Sequence, residues 1–305
     1  MLDSRRLLVA LLALVAPLFA PALAAQAPAA SAVPAAAKGE ALLQRVVVIG
    51  ASLSAGQGLG RSDLNLTHVI EASLVAKHAP VLDASDLLTF TSPVSKAKNA
   101  LAKVEAQNPT LLVALDYLFW FGYGMNWGSE KGRLDALELG LKSLEGLKCP
   151  ILLGDFPDMS SATKVPHPML PAPAVPAAET LAKLNERLRG WAKEHPNVIV
   201  VPISKLMGAL LAGEELRVGP NLWAKGSVGS LLQSDGLHPT LEGTTGVWLF
   251  AAQRLLEARK DLPASALEPK AGTIVGKLAP EVQLHLTSEP IPEKGGKTPP
   301  AKGVH

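Results

Sequence analysis

The chain has 305 residues with 29 Lys plus Arg against 27 Asp plus Glu, a net charge of +2 at neutral pH. That balance, with no basic stripe interleaved with aromatics, argues against nucleic acid as a partner. The length holds one large domain plus tails, and a hydrophobic share of 48% suits a globular α/β protein with an alanine-rich start.

The first 25 residues read as a targeting segment. Arg5-Arg6 precede an apolar run from Leu7 to Ala20, and Pro21-Ala22-Leu23-Ala24-Ala25 offers a small-x-small cleavage site. The run is short and broken by Pro17, so a secreted or periplasmic protein with no stable membrane span after cleavage is expected. Residues 26–41, rich in Ala and Pro, form a flexible spacer. The folded domain is expected over 42–262, and the Pro-, Lys- and Gly-rich tail at 263–305 is expected to be largely disordered. Cys149 is the only cysteine, which excludes an internal disulfide.

Val46-Val47-Val48-Ile49 reads as a strand buried on both faces. It runs into Gly50-Ala51-Ser52-Leu53-Ser54-Ala55-Gly56, small residues that permit a sharp turn and place a serine at the strand's carboxyl end. Helices are expected at 67–77 and 96–107, the latter stopped by Asn108-Pro109. Between them, Val81-Leu82-Asp83 and Leu87-Leu88-Thr89-Phe90 compete for the next strand position. Leu111 to Leu115 is a buried strand ending at Asp116, followed by an aromatic loop at 117–127. Trp120 and Trp127 there are candidates for a substrate wall, whereas Phe119 and Phe121 suit core packing.

A helix at 130–146 leads to a strand at 151–154, whose end carries Asp155 and Asp158 in structural roles. A proline-rich excursion spans 166–176. A helix at 177–194, a strand at 198–201 and a short helix at 203–212 follow. A loop with Trp223 then reaches Asp235-Gly236-Leu237-His238-Pro239-Thr240, and a helix fills 241–258. Strand and helix alternate about five times, which defines an α/β fold with a doubly wound, mostly parallel five-stranded sheet.

Asp235 and His238 stand three apart across a turn marked by Gly236. Such a loop brings the carboxylate onto one imidazole nitrogen, the orientation a histidine base needs. With Ser52 at the other end, the order is Ser…Asp…His. His167 and His195 have no carboxylate at useful spacing, and no His, Cys or carboxylate pair has metal-ligand spacing, so neither a metal nor another cofactor is expected.

Gly50-Ala51-Ser52-Leu53-Ser54 paired with Asp235-Gly236-Leu237-His238-Pro239-Thr240 resembles the SGNH (GDSL-type) hydrolase superfamily over about residues 44–259. The resemblance implies a three-layer α/β/α, flavodoxin-like fold, Ser52 as nucleophile, His238 as general base and Asp235 as its orienting carboxylate. It implies an exported esterase acting on a small-molecule, lipid or acylated-glycan ester, with acyl transfer or a non-catalytic binding role as alternatives. The family's glycine and asparagine oxyanion donors are not in their places. No glycine occurs between Arg61 and Phe121, so the position after the second strand falls to Ala84, Ser85, Thr91 or a neighbour. Leu115-Asp116-Tyr117-Leu118 replaces the asparagine motif, and Asp116 as a carboxylate would repel an oxyanion. Asn126 and Tyr117 are the candidates to rebuild that donor.

Overall fold

The computed structural model describes residues 38–164 and 170–287. The targeting segment, most of the spacer, His167 and the last residues of the tail lie outside them. The structure has a five-stranded, wholly parallel sheet in the order β2-β1-β3-β4-β5. Its strands are β1 (Val46–Val48), β2 (Leu82–Asp83), β3 (Leu111–Ala114), β4 (Ile151–Gly154) and β5 (Val198–Val201). Every residue of β1, β3 and β4 is buried, as runs of Val, Leu and Ile covered on both faces require.

Helices cover both faces, giving the three-layer α/β/α fold. On one side α2 (Pro93–Gln107), α4 (Glu130–Lys142) and α5 (Ala178–Glu194) pack in series. On the other, α1 (Leu66–Ser73) packs on α8 (Leu241–Ala258). The Trp248 indole N–H, wholly buried, donates to the Ser73 hydroxyl at 2.7 Å and ties these two helices. The competition for the second strand resolves to Leu82–Asp83, which pairs with Val47 and Val48. Leu87–Thr91 instead forms a 3-10 turn opened by the Asp86 carboxylate, which accepts from the Leu88 N–H.

The ordered domain continues beyond the boundary expected at 262. Residues 271–278 form a helix, α9 (Ala271–Leu278), packed on α1 and α8. Ala271, Ile274, Val275 and Ala279 are buried, an i, i+3, i+4, i+8 stripe that the surrounding Gly and Lys disguise in composition. After it, the Glu242 carboxylate accepts from the His285 N–H at 2.8 Å and from its ring Nδ1 at 3.0 Å, which holds the chain against α8.

The short helix expected at 203–212 is present as α6 (Ile203–Leu211). The stretch after it, read as a loop, holds an antiparallel hairpin of β6 (Leu216–Val218) and β7 (Asn221–Trp223) and a short helix, α7 (Val228–Leu231). The aromatic loop contains a single helical turn, α3 (Phe119–Gly122).

Candidate active site

The carboxyl end of β1 turns at Gly50, where a β-carbon would lie 2.0 Å from the Asp116 carboxylate. Glycine is needed there because the acid packs directly on the turn. No helix starts at Ser52: turns occupy 51–60 and α1 begins only at Leu66. Two backbone donors of this turn are met by a side chain at the end of β3. Asp116 Oδ2 accepts from the N–H of Leu53 at 2.9 Å and of Ser54 at 3.3 Å. The Ser54 hydroxyl donates to Asp116 Oδ1 at 2.5 Å. Fully buried and so engaged, Ser54 is a structural residue and not a rival nucleophile.

Asp116 is thus the clasp of the serine turn, its carboxylate spent on Leu53 and Ser54. Burial pushes its pKa up, opposed by hydrogen bonds from the Ser54 hydroxyl and from the backbone of Ala51, Ser54 and Leu53. The Ser52 N–H has no hydrogen-bond partner among the described residues.

At the other end of the chain, Asp235 Oδ1 accepts from the N–H of Leu237 at 2.9 Å and of His238 at 3.0 Å. This is an Asx turn, and Gly236 supplies the positive φ of 67° that it requires. Asp235 Oδ2 then meets His238 Nδ1 at 2.6 Å. Burial alone would raise the Asp235 pKa, but hydrogen bonds from the His238 ring and from the His238 and Leu237 backbone outweigh it and hold the acid below its ordinary range. An ionised Asp235 fixes His238 as the Nδ1–H tautomer, with Nε2 as the nitrogen that can take a proton.

Gln233 joins the two ends. Its side-chain amide donates to the Gln57 carbonyl and to the Pro239 carbonyl, each at 2.7 Å. Its own N–H donates to the His238 carbonyl at 2.8 Å. The serine turn and the histidine loop are thereby held by one side chain, and Ser52 and His238 line a common cavity.

The other expected site residues lie elsewhere. The Ala84 N–H donates to the Val48 carbonyl at 2.8 Å, so the sheet edge consumes it. The Ser85 N–H is taken by Asp83 Oδ1. Tyr117 hydrogen-bonds Ser143 at 2.7 Å, and burial pushes its pKa up to about 12. Asn126 is exposed and does not line the cavity. Trp120 is buried, its ring edge-on to Phe119 and tilted against Phe90. The Trp127 indole donates to the Trp120 carbonyl at 2.8 Å. Neither tryptophan lines the cavity; of the aromatic loop, only Phe119 does.

Most of the cavity wall lies away from the aromatic loop. It comes from the loop after β4, from α6, from the hairpin β6–β7 and from the first turns of α8. Two signals pointed to it: the alternation of Leu216, Arg217 and Val218, and the i, i+3 pair Gly243 and Gly246 on the face of α8. Asp155, given a structural role, caps α6 by accepting from the Ser204 N–H at 2.7 Å and from its hydroxyl at 2.6 Å.

The fold and the paired loops match the expectation drawn from the SGNH resemblance. No protein-family model matches the chain, and no curated protein matches it. Among solved structures it is similar to TesA, with 17% identity, a TM-score of 0.45 and coverage of 70% of this chain and 99% of that one. It is also similar to the psychrotrophic esterase EstA of Pseudoalteromonas sp., at 13% identity, TM-score 0.42 and coverage of 70% and 97%. A third is the C-terminal catalytic domain of the peptidoglycan O-acetyltransferase A of Streptococcus pneumoniae, at 13%, 0.42, and 75% and 99%. These are likenesses of fold; the chemistry rests on the side chains.

Proposed function

We propose that the protein is a serine ester hydrolase that works through an acyl-enzyme. The observation that carries this reading is the Asp235–His238 pair at 2.6 Å, on a loop whose histidine shares a cavity with Ser52. Ser52 Oγ bonds to the acyl carbon as His238 Nε2 takes its proton. The C–O bond to the alcohol then breaks, and the alcohol leaves with that proton. Water, deprotonated by His238, attacks the same carbon, and the acid departs as Ser52 recovers its hydrogen. The Ser52 N–H supports the oxyanion in both steps. An alcohol in place of water would make the same intermediate an acyl transfer. Export by the leading segment and a periplasmic or secreted location belong to this proposal.

One observation favours a second reading, a non-catalytic binding protein. The third strand ends in Asp116 where the resemblance would place an asparagine motif, and that carboxylate lines the cavity. Reaction with a fluorophosphonate separates the two. Labelling of the mature protein that disappears in Ser52→Ala, with ester turnover lost in parallel, establishes the hydrolase. A folded wild-type protein that takes no label leaves the binding reading.

A further inference from the structure

The cavity at Ser52 touches the aromatic loop only at Phe119. It runs the other way, between α6, the β6–β7 hairpin and α8, past Met207, Leu210, Leu216, Val218 and Trp223. Counting its open mouth, the space among these residues measures about 980 Å³.

Its polar groups are spent elsewhere. The Trp223 indole N–H donates to Glu242 at 2.8 Å, so the cavity meets only the apolar part of that ring. Both oxygens of Asp155 are held by Ser204. A sugar in this channel would lose its hydration without regaining hydrogen bonds, which opposes binding. Gly246 lines the channel on the α8 side, where a β-carbon would already touch the Trp223 ring at 3.5 Å and atoms beyond it would compete for the same space.

From this we infer that the channel is an acyl-chain site and that the substrates are esters of linear aliphatic acids, the chain lying between α6 and α8 and the leaving group outside. This inference rests on the serine-hydrolase reading for its chemistry and on the channel for its specificity. Each methylene that enters should raise kcat/KM about fourfold. With six further methylenes inside the channel, an eight-carbon acyl group should therefore exceed acetyl by about 4,000-fold.

Two measurements test it. The first is kcat/KM over p-nitrophenyl esters from two to twelve carbons. The second is equilibrium binding of dodecanoate to the Ser52→Ala protein, which needs no turnover. The inference expects a rise with chain length to a limit, and saturable dodecanoate binding. In Gly246→Val the eight- to two-carbon ratio should fall at least tenfold and dodecanoate binding should weaken. Leu216→Ser, which alters the opposite wall, provides the same comparison should the helix not tolerate valine, with folding judged by circular dichroism. A fluorophosphonate-labelled enzyme with a flat chain-length profile and no dodecanoate binding overturns the channel and leaves the hydrolase. Dodecanoate binding that Gly246→Val weakens, in a protein that takes no label, overturns the hydrolase and supports the channel.

Discussion

Two regions flank Ser52 at the carboxyl edge of the sheet, and they differ in what their side chains do. After β3 the aromatic residues consume one another. Phe119 stacks on Tyr123 with ring centres 4.2 Å apart, Trp120 packs on Phe119 and Phe90, and Trp127 hydrogen-bonds the Trp120 carbonyl. After β5 the residues are mostly aliphatic, and a cavity remains among them. Large flat side chains with mutual partners make a solid wall. Space persists where a helix presents glycine and a hairpin holds a second surface at a distance. A row of aromatics marks a well-packed region as readily as a binding one.

The largest expected effect falls on the groups between these regions. Asp235→Asn should leave the fold intact and lower kcat by about 10⁴-fold, because His238 would lose the partner that sets its tautomer. A loss under tenfold in steady-state turnover would show that His238 does not act as the base. The next effect belongs to the aromatic side. Trp120→Ala should destabilise the protein by about 3–5 kcal/mol in denaturant unfolding, with the chain-length preference of the remaining native protein retained. A changed preference at unchanged stability would return Trp120 to the substrate wall.

A smaller effect concerns Asp116. Its folded pKa is raised, so its contribution to stability is complete below the ordinary carboxylate value of about 4 and is lost as pH rises through the folded value. Asp116→Asn lacks that titration. Its melting temperature relative to wild type should therefore improve between pH 4 and 8, and a constant difference across that range would contradict the raised pKa. The smallest effect is at Asn126. Its alanine variant should match wild type in turnover within about twofold and in stability within about 0.5 kcal/mol.

The parallel sheet was legible because its inner strands are unbroken apolar runs bounded by small or acidic residues, as at Val46–Gly50 and Leu111–Asp116. The Asp235–His238 pairing was legible because both residues belong to one short turn. The hairpin was not: β6 and β7 have three residues each and no Asn-Gly or Asp-Gly signal between them. Nor was the role of Asp116, whose partners Leu53 and Ser54 lie more than sixty residues away in the chain and meet it only through the β1–β3 pairing. The oxyanion assignments failed at Ala84 for a related reason. A backbone N–H near the site is no donor once the sheet has used it.

The Gln233 clamp has a consequence for the order in which the chain becomes functional. Ser52 emerges early in synthesis, and its turn can close once β3 has delivered Asp116. The histidine loop and the amide that fastens it to the serine turn arrive only with the segment leading into α8. A nascent chain halted before Gln233 carries Ser52 without His238. The timing of assembly is written into the sequence separation of the two halves, so the two residues share a cavity only when the domain is nearly complete.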